Sequence, residues 1–249
     1  MTIVGLIPAR MGSSRFPGKP LAPLLGRTMI EHVAKRVALC RSLDAVYVAT
    51  CDREIFDAVV AFGGRAIMTS DRHERASDRA AEAIAGLDAD IAVMIQGDEP
   101  MTVPQMIEEA VAGIVADPGI ASVNLTKRIA SRKEFENPNT IKVLMDNDGN
   151  ALFMTRQPVP TCPKGDFSAI AAYKQVCVMP FRREALLHFA ALPPTPLEIA
   201  ESIDMNRYLQ HGIRVHMVET GFDTHAVDSP ADLALVERLM HDDPLLGAY

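Results

Sequence analysis

The sequence predicts an α/β protein with a doubly wound, mostly parallel sheet and a smaller β-rich part. Short apolar runs alternate with amphipathic helical segments through the first 120 or so residues, a pattern typical of parallel strands with helices on both faces. After about residue 122 the helical spacing gives way to short strand-like stretches around an Asn-Asp-Gly turn at residues 147–149, which favours a hairpin. A chain of 249 residues is also long enough to bury a substantial core.

The elements of the first half follow from apolar spacing and from start and stop signals. Residues 3–7 form a buried strand, and the capping-box pair Thr28 and Glu31 begins a helix that continues to about residue 41. A strand at 45–50 precedes a helix that Asp52 caps and that Gly63 and Gly64 end, and a brief strand then leads to residue 69. A helix at 77–87, a strand at 91–95 and a helix at 104–116 with proline in its first turn complete this half.

The second half is less regular. We predict strands at 121–126, 141–145 and 151–155, a proline-rich loop or arm at 157–167, and an apolar stretch at 176–179. Helices at 182–191 and 196–210, a strand at 214–218 and a final helix at 231–240 follow. We expect one domain over residues 1–249, with a regular half at 1–120 and a less regular half at 121–249.

Composition excludes several classes of protein. A formal charge of −7 argues against a general binder of nucleic acid or anionic membranes. The four cysteines lack zinc-like spacing and are interpreted as core residues or free thiols. The sequence has no signal-peptide pattern at its start and no uninterrupted run of about 18 apolar residues, so we expect a cytoplasmic protein.

The loop after the first strand is the first candidate site. It carries glycines, small hydroxyl residues and three cations, Arg10, Arg15 and Lys19. Accessible amides, hydroxyls and fixed positive charge at the carboxyl end of a strand suit a polyanion such as a triphosphate. The loop has neither P-loop nor dinucleotide-binding spacing, and an ordinary strand-to-helix connection with solvated arginines is the alternative.

A second strand end carries carboxylates. Gln96, Gly97, Asp98 and Glu99 follow the apolar run 91–95 and precede a proline. Strand ends of a parallel sheet share an edge, so we expect Asp98 to face the phosphate loop, where an oxygen-ligated cation such as Mg²⁺ would use it. A simple Gly-Asp turn is the competing interpretation. Asp228, before Ser229 and Pro230, is similarly either a metal ligand or part of the cap of the last helix.

Four segments resemble one family. IPAR with SSRFPGKPL at residues 7–21, QGDEP at 96–100, NPNTIKV at 137–143 and VDSPADL at 227–233 are similar to motifs of the 3-deoxy-manno-octulosonate (Kdo) cytidylyltransferases. The resemblance extends over nearly the whole chain and implies the nucleotide-diphospho-sugar transferase fold. It also implies a nucleotide-binding half at 1–120, an acceptor-binding and dimerisation half at 121–249, and a homodimer formed near residues 157–195, with no nucleic-acid or membrane partner.

The resemblance implies a role for each matching residue. Arg10, Lys19 and Asp98 are catalytic, and Asp98 and Asp228 hold Mg²⁺. The nucleotide CTP is bound by Pro8, Ala9, Arg10, Ser13, Ser14, Arg15, Lys19, His73, Ser77, Arg79 and Gln96. The sugar acid is bound by Gln96, Lys142, Arg156, Gln175, Met179, Glu201 and Met205. Arg156 is a candidate partner for the acid's carboxylate, with a surface arginine as the alternative.

The sequence also departs from the family pattern. Arg72 stands where the family has an acid, and Arg75, Ala76 and Ser77 replace Ser-Gly-Thr, which puts the base contacts in doubt. Gln175, Met179 and Phe181 replace a histidine and two tyrosines, and Met205 replaces a glutamine. Loss of polar groups alters which hydroxyls of a sugar are recognised, because hydrogen-bonding pockets discriminate strongly.

The resemblance therefore implies a Mg²⁺-dependent cytidylyltransferase. It transfers CMP from CTP to the hydroxyl of a Kdo-like acid, releases pyrophosphate and supplies a CMP-sugar for cell-surface lipopolysaccharide synthesis. Two alternatives remain open: a cytidylyltransferase for another acid, such as a nonulosonic acid or a phosphonate, and a non-catalytic nucleotide-binding protein. Joint retention of Arg10, Lys19, Asp98 and Asp228 disfavours the last one.

Overall fold

The computed structural model describes residues 1–12 and 15–249. Its strands in chain order are β1 (Ile3–Ala9), β2 (Pro23–Leu24), β3 (Arg27–Thr28), β4 (Ala45–Thr50), β5 (Ala66–Met68), β6 (Ile91–Ile95), β7 (Val123–Arg128), β8 (Lys142–Met145), β9 (Ala151–Thr155), β10 (Tyr173–Val176), β11 (Val178–Arg182) and β12 (His216–Glu219). Its helices are α1 (Met29–Ala38), α2 (Arg53–Ala61), α3 (Ala76–Ala85), α4 (Pro104–Ala116), α5 (Arg132–Glu136), α6 (Arg183–Ala191), α7 (Pro196–Glu201), α8 (Asn206–Gln210) and α9 (Pro230–Met240). Within these residues no helix is both long and apolar enough to cross a bilayer.

The first of two five-stranded sheets confirms the predicted α/β class. It has the order β11-β6-β1-β4-β5, in which β6, β1, β4 and β5 run parallel and β11 pairs antiparallel with β6. Every residue of β1 and of β6 is buried, as expected for strands covered on both faces. Because β11 comes from the second half of the chain, the two predicted halves share this sheet.

A second sheet is formed by strands from the second half of the chain. Its order is β12-β7-β10-β8-β9, antiparallel except for the β12 and β7 pair. The predicted hairpin between β8 and β9 is present, and Gly149 adopts the left-handed conformation (φ 78°) that the turn requires.

Local signals place most element boundaries. The hydroxyl of Thr28 accepts a hydrogen bond from the Glu31 amide at 3.3 Å and so caps α1. Gly63, with φ 82°, ends the turn after α2. Pro104 lies in the first turn of α4, as predicted.

Three expectations are corrected. The helix predicted at 196–210 is two short helices, because Ser202 adopts a left-handed conformation (φ 54°) and ends α7. Asp52 precedes α2 but its side chain makes no capping bond; its Oδ2 instead accepts from the Met11 amide at 2.7 Å. The short elements β2, β3 and α5 were not predicted, because segments of two to five residues have little periodicity.

Candidate active site

A cleft of about 480 Å³ opens at the carboxyl ends of the parallel strands. In this fold class that edge is where ligands bind. The residues that line the cleft come from the loops after β1, β5 and β6 and from two segments of the second half: Pro8, Ala9, Arg10, Gly12, Arg15, Lys19, Pro20, His73, Glu74, Arg75, Ala76, Arg79, Gln96, Gly97, Asp98, Ser202 and Asp228. The cleft thus brings together most of the predicted nucleotide-side residues.

The loop after β1 is held at both of its described ends. The Met11 amide donates to Asp52, and the Met11 carbonyl accepts from the Gly18 amide at 3.1 Å. Arg10 lies between the end of β1 and Met11; its side chain is exposed and lines the cleft. Ser13 and Ser14, predicted to bind the nucleotide, lie outside the described residues.

The loops after β1 and β6 approach each other closely. A Cβ atom built on Gly97 would lie 2.8 Å from the carbonyl oxygen of Pro8, closer than real side chains come to backbone. Only glycine fits this contact without a shift of one loop. The contact places Gln96 and Asp98 directly beside the predicted phosphate loop.

Lys19 joins the two predicted metal ligands. Its Nζ lies 2.6 Å from Oδ2 of Asp98 and 3.5 Å from Oδ1 of Asp228, and the lysine side chain is 13% exposed. Arg15 also contacts Asp228, with Nη2 3.1 Å from Oδ1. Two carboxylates 130 positions apart in the sequence therefore converge on one cationic position.

A backbone hydrogen bond brings the second carboxylate into the site. The Val227 amide donates to the carbonyl of Asp98 at 2.8 Å, which fixes the next residue, Asp228, beside the β6 loop. Ser229 caps α9 by accepting from the Asp232 amide, so the cap does not need the side chain of Asp228. The expectation that the last helix begins at a cap followed by Pro230 is therefore confirmed with Ser229 as the cap, and the Asp228 side chain is not the cap.

The donor set fits a hard divalent cation. In the described part of the chain no cluster of three or more acidic, histidine or cysteine side chains is arranged to hold a metal. Mg²⁺ commonly uses one or two carboxylates and completes its shell with water and substrate phosphate. In this structure the ammonium group of Lys19 lies within reach of both carboxylates, at the position where Asp98 and Asp228 would together bind a divalent cation.

The β5 to α3 segment forms the opposite wall. Arg79 is 3% exposed and donates to Thr69 Oγ1 and to the carbonyls of Ser70 and His73, so it orders this segment. His73 lines the cleft and its Nε2 contacts Glu82. Ser77 does not line the cleft: it is fully buried, and its hydroxyl donates to Asp204 at 2.6 Å.

Three predicted acceptor residues form a network behind the cleft. Lys142 is fully buried, and its Nζ donates to the carbonyls of Asn137, Thr140 and Arg156; burial lowers its pKa. Arg156 donates from Nε to the Glu201 carbonyl and from Nη1 to the Pro138 carbonyl. The Glu201 carboxylate accepts from the Thr155 hydroxyl and the Arg156 amide. None of the three residues lines the cleft; their hydrogen bonds hold together the segments behind its wall.

The substituted acceptor positions are mostly buried as well. Met179 and Met205 are 3% and 1% exposed and pack in a core cluster to which both halves of the chain contribute. Gln175 donates from Nε2 to Oδ1 of Asn124 at 2.6 Å and borders a second cavity of about 320 Å³. At Met179 and Met205 packing contacts replace the polar groups of the family motifs, whereas Gln175 keeps a polar contact.

Sequence reasoning did not assign Arg75, Ser202 or Glu99 to the site. Arg75 and Ser202 line the cleft, and only the fold brings their segments together. Glu99 borders the second cavity, which also touches Asp228. Among the described residues Glu99 Oε2 has no hydrogen-bond partner; burial, with the charge of Asp98, raises the pKa of Glu99 to about 8. Its place beside Asp98 was visible in the sequence, but its burial was not.

Comparisons with known proteins agree with this geometry. The model of the cytidylyltransferase family matches residues 4–215. A 3-deoxy-manno-octulosonate cytidylyltransferase of Geobacter metallireducens is 45% identical, with 96% of this chain and 98% of that protein covered. Its counterpart in Solibacter usitatus is 39% identical, with 98% and 97% covered.

Solved structures resemble the chain in the same way. A CMP:2-keto-3-deoxy-manno-octonic acid synthetase complexed with CTP aligns with a TM-score of 0.91 and 37% identity, covering 98% of this chain and all of that one. A 4-diphosphocytidyl-2C-methyl-D-erythritol synthase from Anaerococcus prevotii aligns with a TM-score of 0.64 at 12% identity, over 96% of this chain and 98% of that one. The second likeness shows a shared fold alone.

Proposed function

The chain belongs to the cytidylyltransferase family, and from this premise we propose that it transfers CMP from CTP to a hydroxyl of 3-deoxy-manno-octulosonate or a closely similar sugar acid. The acceptor oxygen bonds to the α-phosphorus of CTP while the bond from that phosphorus to the bridging oxygen breaks. Pyrophosphate leaves, and the hydroxyl proton passes to solvent.

The convergence of Lys19, Asp98 and Asp228 at the mouth of the cleft carries this proposal. A polyanionic substrate needs cations that are fixed before it binds, and Arg10, Arg15 and Lys19 all line the cleft. Phosphoryl-type transfer requires little covalent chemistry from the protein, so positioning and electrostatic stabilisation can supply most of the rate acceleration.

Asp98 and Asp228 would hold Mg²⁺. The cation, when bound with the triphosphate, neutralises charge that develops at the reacting phosphate. The residues of the chain then have separate tasks: Lys19 moves from the carboxylates toward the triphosphate, while Gln96 and the main chain near Pro8 border the space for nucleoside and acceptor. Lys142 and Glu201 hold the wall behind the acceptor.

The direct test is release of pyrophosphate with CTP, Mg²⁺ and Kdo, repeated with an 8-amino analogue, sialic acid, legionaminic acid and a simple phosphonate. We expect turnover with Kdo or one of its close relatives. Asp98→Asn should lower kcat/KM by about 100-fold or more, since one of two metal ligands worth several kcal/mol is lost. Full turnover by this variant at saturating Mg²⁺ contradicts the metal role. Failure of every acid, with CTP still bound, contradicts the proposed reaction.

We also propose a homodimer. The resemblance to the Kdo cytidylyltransferases carries this proposal, and the expected contact region is near residues 157–195. Light scattering at micromolar concentration should give twice the mass of the chain, and a monomer there contradicts the proposal.

A further inference from the structure

Arg75 is a cation of the cleft wall that the resemblance to the family does not explain. It directly precedes α3, at a position where the family motif carries serine. Its side chain is 22% exposed and lines the same cleft as Lys19. A guanidinium at the border of a substrate cleft is suited to a planar anion such as a carboxylate.

The contacts of Arg75 leave much of its charge available. Its Nη1 donates to the Ser202 hydroxyl at 2.8 Å, and its Nη2 donates over a longer distance, 3.5 Å, to the carbonyl oxygen of Glu198. The nearest carboxylates are farther away: Oε1 of Glu198 lies 3.7 Å from Nε, and Oδ1 of Asp204 lies 3.9 Å from Nη1.

Both carboxylates also form shorter hydrogen bonds with other side chains. Arg207 binds Glu198 with Nη2 at 2.6 Å and Nε at 2.8 Å, in a pair that is almost completely buried. Ser77 donates to Asp204 from its hydroxyl at 2.6 Å. Neither carboxylate therefore forms a close, two-point pair with Arg75, and this guanidinium keeps donors for a ligand.

The position of Arg75 connects the nucleotide wall with the acceptor wall. Ser202 follows α7, and the preceding residue, Glu201, binds the end of β9 through Thr155 and Arg156. Arg156 itself, the residue that the sequence suggested for the acid, donates to two backbone carbonyls behind the cleft. Arg75 is thus the better-placed cation on this wall for an acid that enters the cleft.

We propose that Arg75 binds the carboxylate of the acid acceptor and that the Ser202 hydroxyl orients its guanidinium. This inference rests on the proposed function, because it assigns a role in the same cleft. It predicts that recognition of the acid depends on its negative charge and on the donor geometry of arginine. Lysine at this position would keep the charge but lose the fork of parallel N–H donors.

The test measures binding of Kdo and of its carboxamide by calorimetry, in the presence of Mg²⁺ and a non-hydrolysable CTP analogue. Loss of a charge-assisted hydrogen-bonded pair corresponds to about a 10- to 100-fold change in affinity. Arg75→Gln should weaken binding of Kdo by that factor and leave binding of the carboxamide within about twofold. Arg75→Lys should give an intermediate affinity.

Arg72→Gln is the matched control. Arg72 lies on the same segment, is exposed, donates from its side chain to Ser70 and does not line the cleft. It should leave the affinities for the acid and for CTP unchanged. KM values give a second readout: Arg75→Gln should raise KM for Kdo and leave KM for CTP near that of the parent protein.

Several outcomes overturn the inference. Equal losses for the acid and the carboxamide would indicate a structural role for Arg75, and an effect on KM for CTP alone would assign Arg75 to the nucleotide. If the parent protein turns over Kdo and Arg75→Gln binds it equally well, the inference fails while the proposed function stands.

The opposite result separates the two proposals in the other direction. If the acid binds in an Arg75-dependent way without turnover, the proposed reaction fails and the assignment of Arg75 stands.

Discussion

Replacing Lys19 by methionine should change metal binding and catalysis in opposite directions. In the structure Lys19 occupies the space between Asp98 and Asp228, with Nζ 2.6 Å and 3.5 Å from their oxygens. A divalent cation that binds these carboxylates must first displace the ammonium group. Lys19→Met removes this competitor and also removes a cation that we expect to bind the triphosphate.

The size of the effect follows from the geometry. A charge-assisted hydrogen bond contributes about 1.5–3 kcal/mol, and partial exposure, 13% for Lys19 and 26% for Asp98, reduces this to roughly 1–2 kcal/mol. At about 1.4 kcal/mol for each factor of ten, metal affinity of the nucleotide-free protein should rise about 5- to 30-fold. The kcat/KM for CTP should fall by at least about tenfold, because a charged contact to phosphate is lost.

Mn²⁺ binding followed by electron paramagnetic resonance measures the affinity, and pyrophosphate release measures kcat/KM. Lys35→Met is the control, because Lys35 pairs with Glu31 on α1 and does not line the cleft. The control should change neither quantity. Unchanged or weaker Mn²⁺ binding in Lys19→Met would refute the argument that Lys19 competes with metal for the two carboxylates.

Two further predictions concern stability. Arg207→Met should lower the free energy of unfolding by about 3–5 kcal/mol and Tm by roughly 6–20 °C, because it removes the close, two-point partner of the buried Glu198 and leaves only the longer contact from Arg75. Arg53→Met on the surface should change Tm little, and equal shifts in the two variants would contradict this. Burial lowers the pKa of His32 below its ordinary value of 6.5, so the folded state keeps it neutral while the unfolded state gains a proton. The free energy of unfolding should therefore fall by up to about 1.4 kcal/mol per pH unit as pH drops from 6.5 toward the lowered pKa. Subtracting the urea-unfolding profile of His32→Gln should isolate this slope, and identical pH profiles would refute it.

The fold class was predictable because the hydrophobic pattern of a doubly wound sheet is local. Strand β6 and helix α4 have the predicted bounds, since an uninterrupted apolar run and a proline in the first helical turn are visible within a few residues. The break at Ser202 was not predicted, because a left-handed serine has no local signal comparable to that of glycine.

The candidate site was predictable where its residues lie on a loop that directly follows a buried strand. Arg10, Lys19, Gln96 and Asp98 lie on the loops that the sequence selected, and all four line the cleft. The positions predicted to bind the acceptor were harder to predict. Met179 and Met205 are core residues in this fold, and burial depends on what packs against a segment from elsewhere in the chain.

The sequence by itself determined the order of the longer strands and helices, the phosphate-loop candidate and the family resemblance, since each depends on neighbouring residues or on recognisable strings. The tertiary structure decided which distant groups meet. A single backbone hydrogen bond from Val227 to Asp98 brings Asp228 to Lys19, and the turn after α7 brings Ser202 to Arg75. Contacts across 120 or more positions depend on how sheets and helices pack, and no local pattern in the chain encodes that packing.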